Sequence, residues 1–182
     1  MSHQPAILLT GRPGVGKSTI IKVVVSRLGQ RAGGFYTREV RVAGKRMGFE
    51  VVTLAGETDL LATKSPDITF ATEAPFGKYR VNLSAIDKLA VRALHQAMAQ
   101  RQIVVIDEIG PMELLSEKFC QAVQELLDAP VIVLGTVVER PHPLADRIKQ
   151  HPRIQLQQIT LANRDLLPHQ IETILRQWLV AR

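Results

Sequence analysis

The chain has 182 residues, 46% of them hydrophobic and 4% aromatic, and a formal net charge of +6 at pH 7. This length suits one compact domain that buries a full core, so we expect residues 1–182 to form a single domain. The one cysteine excludes an internal disulfide, no apolar run is long enough to span a bilayer, and we expect a cytoplasmic protein.

The first predicted elements are a buried strand at residues 6–10, a glycine-rich loop and a helix at residues 19–25. The loop consists of Gly11, Arg12, Pro13, Gly14, Val15, Gly16, Lys17 and Ser18. It matches G-x-x-x-x-G-K-[ST], which cradles nucleotide phosphates when a strand precedes it and a helix follows. We therefore predict a P-loop, with Thr19 also among the nucleotide-binding residues.

Each residue type in this loop has a physical role in phosphate binding. Glycines let backbone N–H groups approach the phosphates without a Cβ in the way, and the helix N-terminus adds about half a positive charge. Lys17 is predicted to reach the β- and γ-phosphates, and the Ser18 hydroxyl to bind Mg²⁺. The alternative is a glycine-rich turn with an unrelated lysine nearby.

A β-hairpin is predicted next. Residues 34–42 and 46–54 are rich in β-forming side chains and flank a turn at residues 43–45, and strands joined this way pair antiparallel. Residues 55–80 are polar with scattered glycine and proline, and their short strands cannot be placed from the sequence.

Helices and strands alternate in the remainder of the chain. The predicted elements are a helix at residues 84–100 with Ser84 as its cap, a strand at 103–106, a helix at 116–127, a strand at 131–137, a short helix at 143–150, a strand at 154–160 and a helix at 165–180. This alternation predicts an α/β fold with a mostly parallel central sheet and helices on both faces, to which the antiparallel hairpin is added.

Asp107 and Glu108 follow the apolar strand at residues 103–106. An acidic residue at the end of a buried strand is what a P-loop requires to hold Mg²⁺ opposite Ser18, and Asp107 fills that role. Glu108 is then placed to polarise a water molecule for attack on the γ-phosphate. The pair favours hydrolysis without excluding phosphoryl transfer, and the alternative is an ordinary solvated strand end.

Beyond the P-loop, the chain resembles the nucleoside-triphosphatase family that includes thermophile enzymes and the human cancer-related enzyme. The segments that carry this resemblance are Gly34-Phe35-Tyr36-Thr37, Glu39-Val40-Arg41, Arg46-Met47-Gly48-Phe49, Gly77-Lys78-Tyr79 with Val81 and Leu83, Asp107-Glu108-Ile109-Gly110-Pro111-Met112-Glu113-Leu114, and Asn163-Arg164. In order along the chain, the resemblance runs from residue 6 to about residue 170.

This resemblance implies a P-loop NTPase fold and Mg²⁺-dependent hydrolysis of ATP, GTP and other nucleoside triphosphates to the diphosphate and phosphate. It also implies loose base selectivity and slow turnover, and it places Gly110 in the nucleotide site. The chain departs from the family at Arg38, where an acidic residue is common, and at Ala162, where a glutamate is usual. These departures leave the base preference open.

Further cations are expected near the γ-phosphate, because the transition state spreads negative charge over its oxygens. Arg41 and Arg46 match the family hairpin and are preferred over Lys78 and Arg140. The alternative for both arginines is a solvent-facing position or an ion pair with Glu39 or Glu50.

Asn163 and Arg164 precede the last predicted helix and are expected to border the base. An arginine can stack on a purine or a pyrimidine, which agrees with loose selectivity. Capping of the last helix is the competing role for Asn163. Glu113 is a candidate to hold a water or orient Arg41, with a surface position as its alternative.

Two other functions remain open at this stage. One is a nucleoside or nucleotide kinase of the P-loop superfamily, with residues 55–80 as its lid. The other is a nucleic-acid-associated protein switched by NTP, which the positive net charge motivates. We expect ATP, GTP and other NTPs as ligands and no membrane partner, and we do not favour nucleic acid. The oligomeric state is open.

Overall fold

A nine-stranded sheet forms the centre of the computed structural model, which describes residues 5–180. In this described region the strands are β1 (Ala6–Thr10), β2 (Ala32–Val42), β3 (Lys45–Thr53), β4 (Thr58–Thr63), β5 (Glu73–Phe76), β6 (Tyr79–Asn82), β7 (Ile103–Ile109), β8 (Ile132–Val137) and β9 (Ile154–Gln158). Their spatial order is β5-β6-β4-β3-β2-β7-β8-β1-β9.

The sheet has a parallel and an antiparallel half. Strands β2, β7, β8, β1 and β9 run parallel to their neighbours. Strands β3, β4, β6 and β5 continue from β2 in antiparallel pairs. The predicted P-loop NTPase fold is confirmed, and the antiparallel extension is larger than the hairpin because residues 55–80 supply most of three further strands.

Helices cover both faces of the parallel half. They are α1 (Lys17–Leu28), α2 (Leu83–Ala85), α3 (Val91–Gln100), α4 (Glu117–Asp128), α5 (Pro143–Lys149) and α6 (Leu167–Val180), and a π-helical turn at Ile86–Ala90 joins α2 to α3. Among residues 5–180, no helix has both the length and the apolar character needed to cross a membrane.

The alternation of side chains along β1 shows how the two cores are built. Ala6 and Leu8 pack into the core beneath α3, α4 and α5, whereas Ile7 and Leu9 pack into the core beneath α1 and α6. Successive strand residues face opposite sides of a sheet, so one strand contributes to both cores. A strand buried on both faces is expected to be largely apolar, and β1 is apolar from Ala6 to Leu9.

Several predicted boundaries differ from the structure by one to three residues, and two of these differences concern α2 and β7. Helix α2 begins at Leu83, and its cap is Asn82 rather than Ser84, because the Asn82 side chain accepts a hydrogen bond from the Ala85 N–H. Strand β7 extends to Ile109, three residues beyond the predicted end, although its pairing with β8 becomes irregular between Ile106 and Ile109. The acidic pair therefore lies in the last part of a strand and not after it.

Candidate active site

The glycine-rich loop lies between β1 and α1, as predicted. Gly11, Gly14 and Gly16 all have positive φ values, of 148°, 79° and 113°. Gly11 also lies so close to the chain after β9 that a Cβ there would stand 2.7 Å from the Ile159 carbonyl oxygen. Within residues 5–180, no side chain caps the N-terminus of α1, and its first turn holds no acidic residue. The first N–H groups of α1 are therefore available to an anion.

Lys17 folds back across this loop. Its Nζ donates a hydrogen bond of 2.7 Å to the Gly11 carbonyl oxygen and a longer one of 3.4 Å to the Arg12 carbonyl oxygen. The ammonium group is thus held across the loop. The charge of Lys17 also acts on both members of the acidic pair, lowering the pKa of Asp107 and of Glu108 against the effect of burial.

Asp107 is fully buried on β7. Its Oδ1 accepts a hydrogen bond of 2.6 Å from the Thr136 hydroxyl, and its Oδ2 has no hydrogen-bond partner among the described residues. Burial raises the pKa of Asp107, and hydrogen bonding from Thr136 and Ser18, with the charges of Lys22 and Lys17, opposes that rise. The structure therefore brings Ser18 and Asp107 together.

These two residues fit the Mg²⁺ site that the sequence predicts. A buried carboxylate oxygen without a partner carries a desolvation cost that a cation, or its bound water, would remove. In the part of the chain that the structure describes, no group of three histidine, cysteine or acidic side chains could hold a metal. A P-loop site needs no such group, because phosphate oxygens and water supply the other ligands of Mg²⁺.

Glu108 follows Asp107 and is only partly buried. Burial raises the pKa of its carboxyl, the charge of Lys17 opposes this rise, and the charge of Asp107 adds to it. The side chain lines a cavity of about 170 Å³ together with Gly110 and Glu113. The other walls of this cavity come from the hairpin, from β4 and β5 and from the segment that follows β7.

Asn163 and Arg164 lie next to the P-loop. The Asn163 side chain donates to the Gln158 carbonyl oxygen and accepts from the Thr160 N–H, both at 2.9 Å. It therefore braces the loop after β9, and the capping role is wrong because α6 begins only at Leu167. If Gly16 carried a Cβ, that atom would lie 3.8 Å from Arg164 Cδ.

Arg41 and Arg46 both form ion pairs with Glu39, which is one of the alternatives that the sequence left open for them. Arg41 Nη2 lies 2.6 Å from Glu39 Oε2, and Arg46 Nη1 lies 2.7 Å from Glu39 Oε1. Burial raises the pKa of Glu39, and its hydrogen bonds from Arg46 and Arg41 outweigh that effect and lower it. The last residue of β2 that pairs with β7 is Tyr36, which lies opposite Asp107. The ion pairs with Glu39 therefore lie on the part of the hairpin that continues beyond the acidic pair.

Sequence reasoning missed two features of the site. Thr136 was not singled out, although a polar residue near the end of a buried strand beside Asp107 is a usable signal. Glu113 was a candidate to hold a water or orient Arg41, and its alternative, a surface position, is wrong because only 5% of the residue is exposed. Its burial depends on packing against the hairpin, which no local pattern reveals.

The glycine-rich loop after β1, the buried aspartate on β7 and the parallel order of β7, β8 and β1 are those of a P-loop NTPase. More narrowly, the chain belongs to the NTPase family whose sequence profile matches residues 6–172.

Relatives of known name agree with this assignment. The chain is 42% identical to nucleoside-triphosphatase THEP1 of Thermotoga petrophila, over 93% of this chain and 92% of the relative. It is 41% identical to the mouse cancer-related nucleoside-triphosphatase homolog, over 89% and 92%. The crystal structure of THEP1 from Aquifex aeolicus superposes with a TM-score of 0.80 at 38% identity, covering 91% of this chain and 96% of that one. The solution structure of a human cancer-related nucleoside triphosphatase gives 0.79 at 36% identity, covering 97% and 98%.

Proposed function

We propose that this protein hydrolyses nucleoside 5′-triphosphates, including ATP and GTP, to the diphosphate and phosphate in a Mg²⁺-dependent reaction with broad base tolerance. The observation that carries the proposal is the position of Asp107 and Glu108 beside the P-loop, where the charge of Lys17 acts on both carboxyls. The relatives named nucleoside triphosphatases support the same activity.

The P-loop residues would bind the triphosphate. Glycines at positive φ free backbone N–H groups to point inward, and the N-terminus of α1 adds its partial positive charge. Lys17 would exchange its hydrogen bond with Gly11 for contacts to the β- and γ-phosphates. Ser18 and Asp107 would hold Mg²⁺, which neutralises charge on the phosphate oxygens when bound.

Glu108 would act on the attacking water. As a carboxylate within hydrogen-bond reach it accepts the water proton while oxygen attacks the γ-phosphorus and the bond to the diphosphate oxygen breaks. Burial raises the pKa of Glu108, which makes its carboxylate a better proton acceptor than a solvated one. The proton then leaves with phosphate or solvent.

Broad base tolerance is supported by the kind of contact that the loop after β9 offers. Arg164 lies against the P-loop at Gly16, and a planar guanidinium can stack on any base. Asn163 supports this loop through its bonds to Gln158 and Thr160. We propose that Arg164 contacts the base directly and that Asn163 fixes the loop.

The kinase alternative depended on residues 55–80 acting as a mobile lid, and the structure does not support that role. Residues 55–80 supply β4, β5 and the start of β6, which are paired into the central sheet. A lid has to move as a unit over its acceptor, and strands bonded into a sheet do not. The nucleic-acid alternative has only the net charge of +6 in its favour.

The proposal is tested by phosphate release from purified protein with a panel of NTPs, NDPs and NMPs, with Mg²⁺ or with EDTA. We expect comparable release from all four common ribonucleoside triphosphates, none from monophosphates and none with EDTA. Lys17→Ala, purified in parallel, controls for contaminating phosphatases. Wild-type release no higher than that of a heat-denatured sample excludes the proposal, and release that appears only with an added nucleoside or NMP establishes a kinase.

A further inference from the structure

Glu113 and Glu108 approach each other across Gly110. Glu113 begins a 3-10 turn, Glu113–Leu115, shortly after β7. If Gly110 carried a Cβ, that atom would stand 2.6 Å from Glu113 Oε2, 3.2 Å from Glu108 Cγ and 3.3 Å from Glu108 Cδ. The carboxyl groups of Glu113 and Glu108 therefore both lie close to the Cα of Gly110, and a side chain at position 110 would separate them.

The surroundings of Glu113 favour its neutral form. The cavity that it shares with Glu108 is otherwise lined by Thr37, Phe49, Leu61, Phe76, Gly110, Pro111 and Met112. None of these side chains titrates, and among residues 5–180 no ion pair includes Glu113. The titratable groups that face it are Glu108 and Asp107, both acidic. A buried carboxylate with only acidic neighbours is expected to hold a proton.

The two carboxyls differ in a way that assigns the proton. Glu113 is almost completely buried, and burial followed by the charge of Glu108 raises its pKa to about 8. Glu108 is less buried, and although burial raises its pKa as well, the charge of Lys17 opposes that rise. When two carboxyls share one site, the group with the more apolar environment keeps the proton.

We propose, building on the NTP hydrolysis proposed above, that Glu113 is a positioning residue that holds a proton and thereby confines the single negative charge of the pair to Glu108. Glu108 is then the base, and the cavity wall opposite it stays neutral. Loss of the Glu113 proton adds a second negative charge beside the site where the γ-phosphate develops negative charge, which opposes the reaction.

The proposal predicts a specific pH profile. In the wild-type protein, phosphate release should fall about tenfold for each pH unit above the pKa of Glu113. Glu113→Gln cannot lose a proton, so the ratio of phosphate release at pH of about 9 to that at pH of about 7 should rise about tenfold over the wild-type ratio. Glu117→Gln, which removes an exposed carboxylate from the same segment, should keep the wild-type ratio.

A second measurement reads the proton directly and needs no nucleotide. The infrared difference spectrum between wild-type protein and Glu113→Gln at neutral pH should contain the C=O stretch of a protonated carboxylic acid. This band should disappear at high pH, and it should be absent from the difference between wild-type protein and Glu117→Gln. If Glu113→Gln does not fold, Glu113→Met removes the same titration with a side chain of similar size.

The outcomes separate this proposal from the function on which it rests. Wild-type protein that releases no phosphate removes the proposed function, while the infrared band still determines whether Glu113 is protonated. Absence of the band at neutral pH overturns the assignment of the proton. An alkaline fall of equal steepness in wild-type protein and Glu113→Gln overturns the role of Glu113 in the reaction.

Discussion

Thr136 donates a hydrogen bond of 2.6 Å to Asp107 Oδ1, and both residues are fully buried. The contact follows from the order of the sheet, because β8 lies between β7 and β1, and Thr136 pairs with Leu9 at the end of β1. One oxygen of Asp107 is thus fixed by a neighbouring strand, and the other is without a partner in the described structure. The hydroxyl orients the carboxylate so that its free oxygen is available to a ligand.

Thr136→Val should weaken both stability and activity. Valine matches threonine in shape but leaves Oδ1 of Asp107 without its donor, and an unsatisfied buried acceptor costs about 1–3 kcal/mol of unfolding free energy. Phosphate release should fall as well, because the carboxylate is no longer held in one orientation. Urea unfolding at neutral pH and phosphate release together measure both effects.

Thr10→Val is the matched control for stability. Thr10 is also a buried threonine at the end of a parallel strand, and its hydroxyl has no hydrogen-bond partner among the described residues. Its removal should leave the free energy of unfolding unchanged or higher. Equal losses in the two variants would mean that the bond to Asp107 contributes nothing.

Glu108→Gln should separate nucleotide binding from hydrolysis. Glutamine keeps the size of the side chain but cannot accept the proton of the attacking water, so phosphate release should fall at least about tenfold, since a positioned general base contributes about 10²–10⁴. The dissociation constant of a nonhydrolysable triphosphate, measured by calorimetry, should change little. Unchanged phosphate release would remove Glu108 from the mechanism.

The features of the site that the sequence predicted are the ones encoded by adjacent residues. The strand at residues 6–10 matches β1 at both ends, because a short apolar run bounded by Pro5 and Gly11 leaves little choice. The P-loop is recognisable because glycines at fixed spacing are required by positive φ values. Asp107 was found because an acidic residue after an apolar run stands out against its neighbours.

The features that the sequence could not predict depend on contacts between distant segments. The hairpin and the segment after β7 bury Glu113 together, and residues such as Phe49 and Leu61 that wall its cavity lie more than fifty positions away in the chain. The capping alternative for Asn163 could not be rejected from the sequence, because bonds to the end of β9 and a helix cap are equally compatible with its sequence context.

Substitution of Arg41 and Arg46 tests whether the β2–β3 hairpin contributes positive charge to the active site. If they supply positive charge to the transition state, Arg41→Gln or Arg46→Gln should each slow phosphate release at least about tenfold, since an arginine that contacts the transferring phosphoryl group contributes about 10³–10⁵ in rate. Arg38→Gln is the control, because Arg38 pairs with Glu50 on the same hairpin at 2.7 Å. Wild-type rates in both variants would show that their ion pairs with Glu39 are structural.

Arg153 should be required for stability rather than for hydrolysis. Its buried guanidinium donates to the carbonyl oxygens of Leu126, Leu127 and Ala129 at 2.9, 2.6 and 3.0 Å, and also to that of Val131. It therefore joins the C-terminal end of α4, where the helix dipole is negative, to the segments that begin β8 and β9. Arg153→Met should lower the free energy of unfolding by about 3 kcal/mol, because several buried acceptors lose one charged donor together.

The control for this substitution is Arg92→Met. Arg92 makes an exposed ion pair with Glu57, and such pairs contribute about 0–1 kcal/mol. Urea unfolding of both variants, with phosphate release normalised to folded protein, separates the two kinds of arginine. A loss in Arg153→Met no larger than in Arg92→Met would contradict the role of Arg153 as a buried clamp, and reduced release from folded Arg153→Met would extend its influence to the active site.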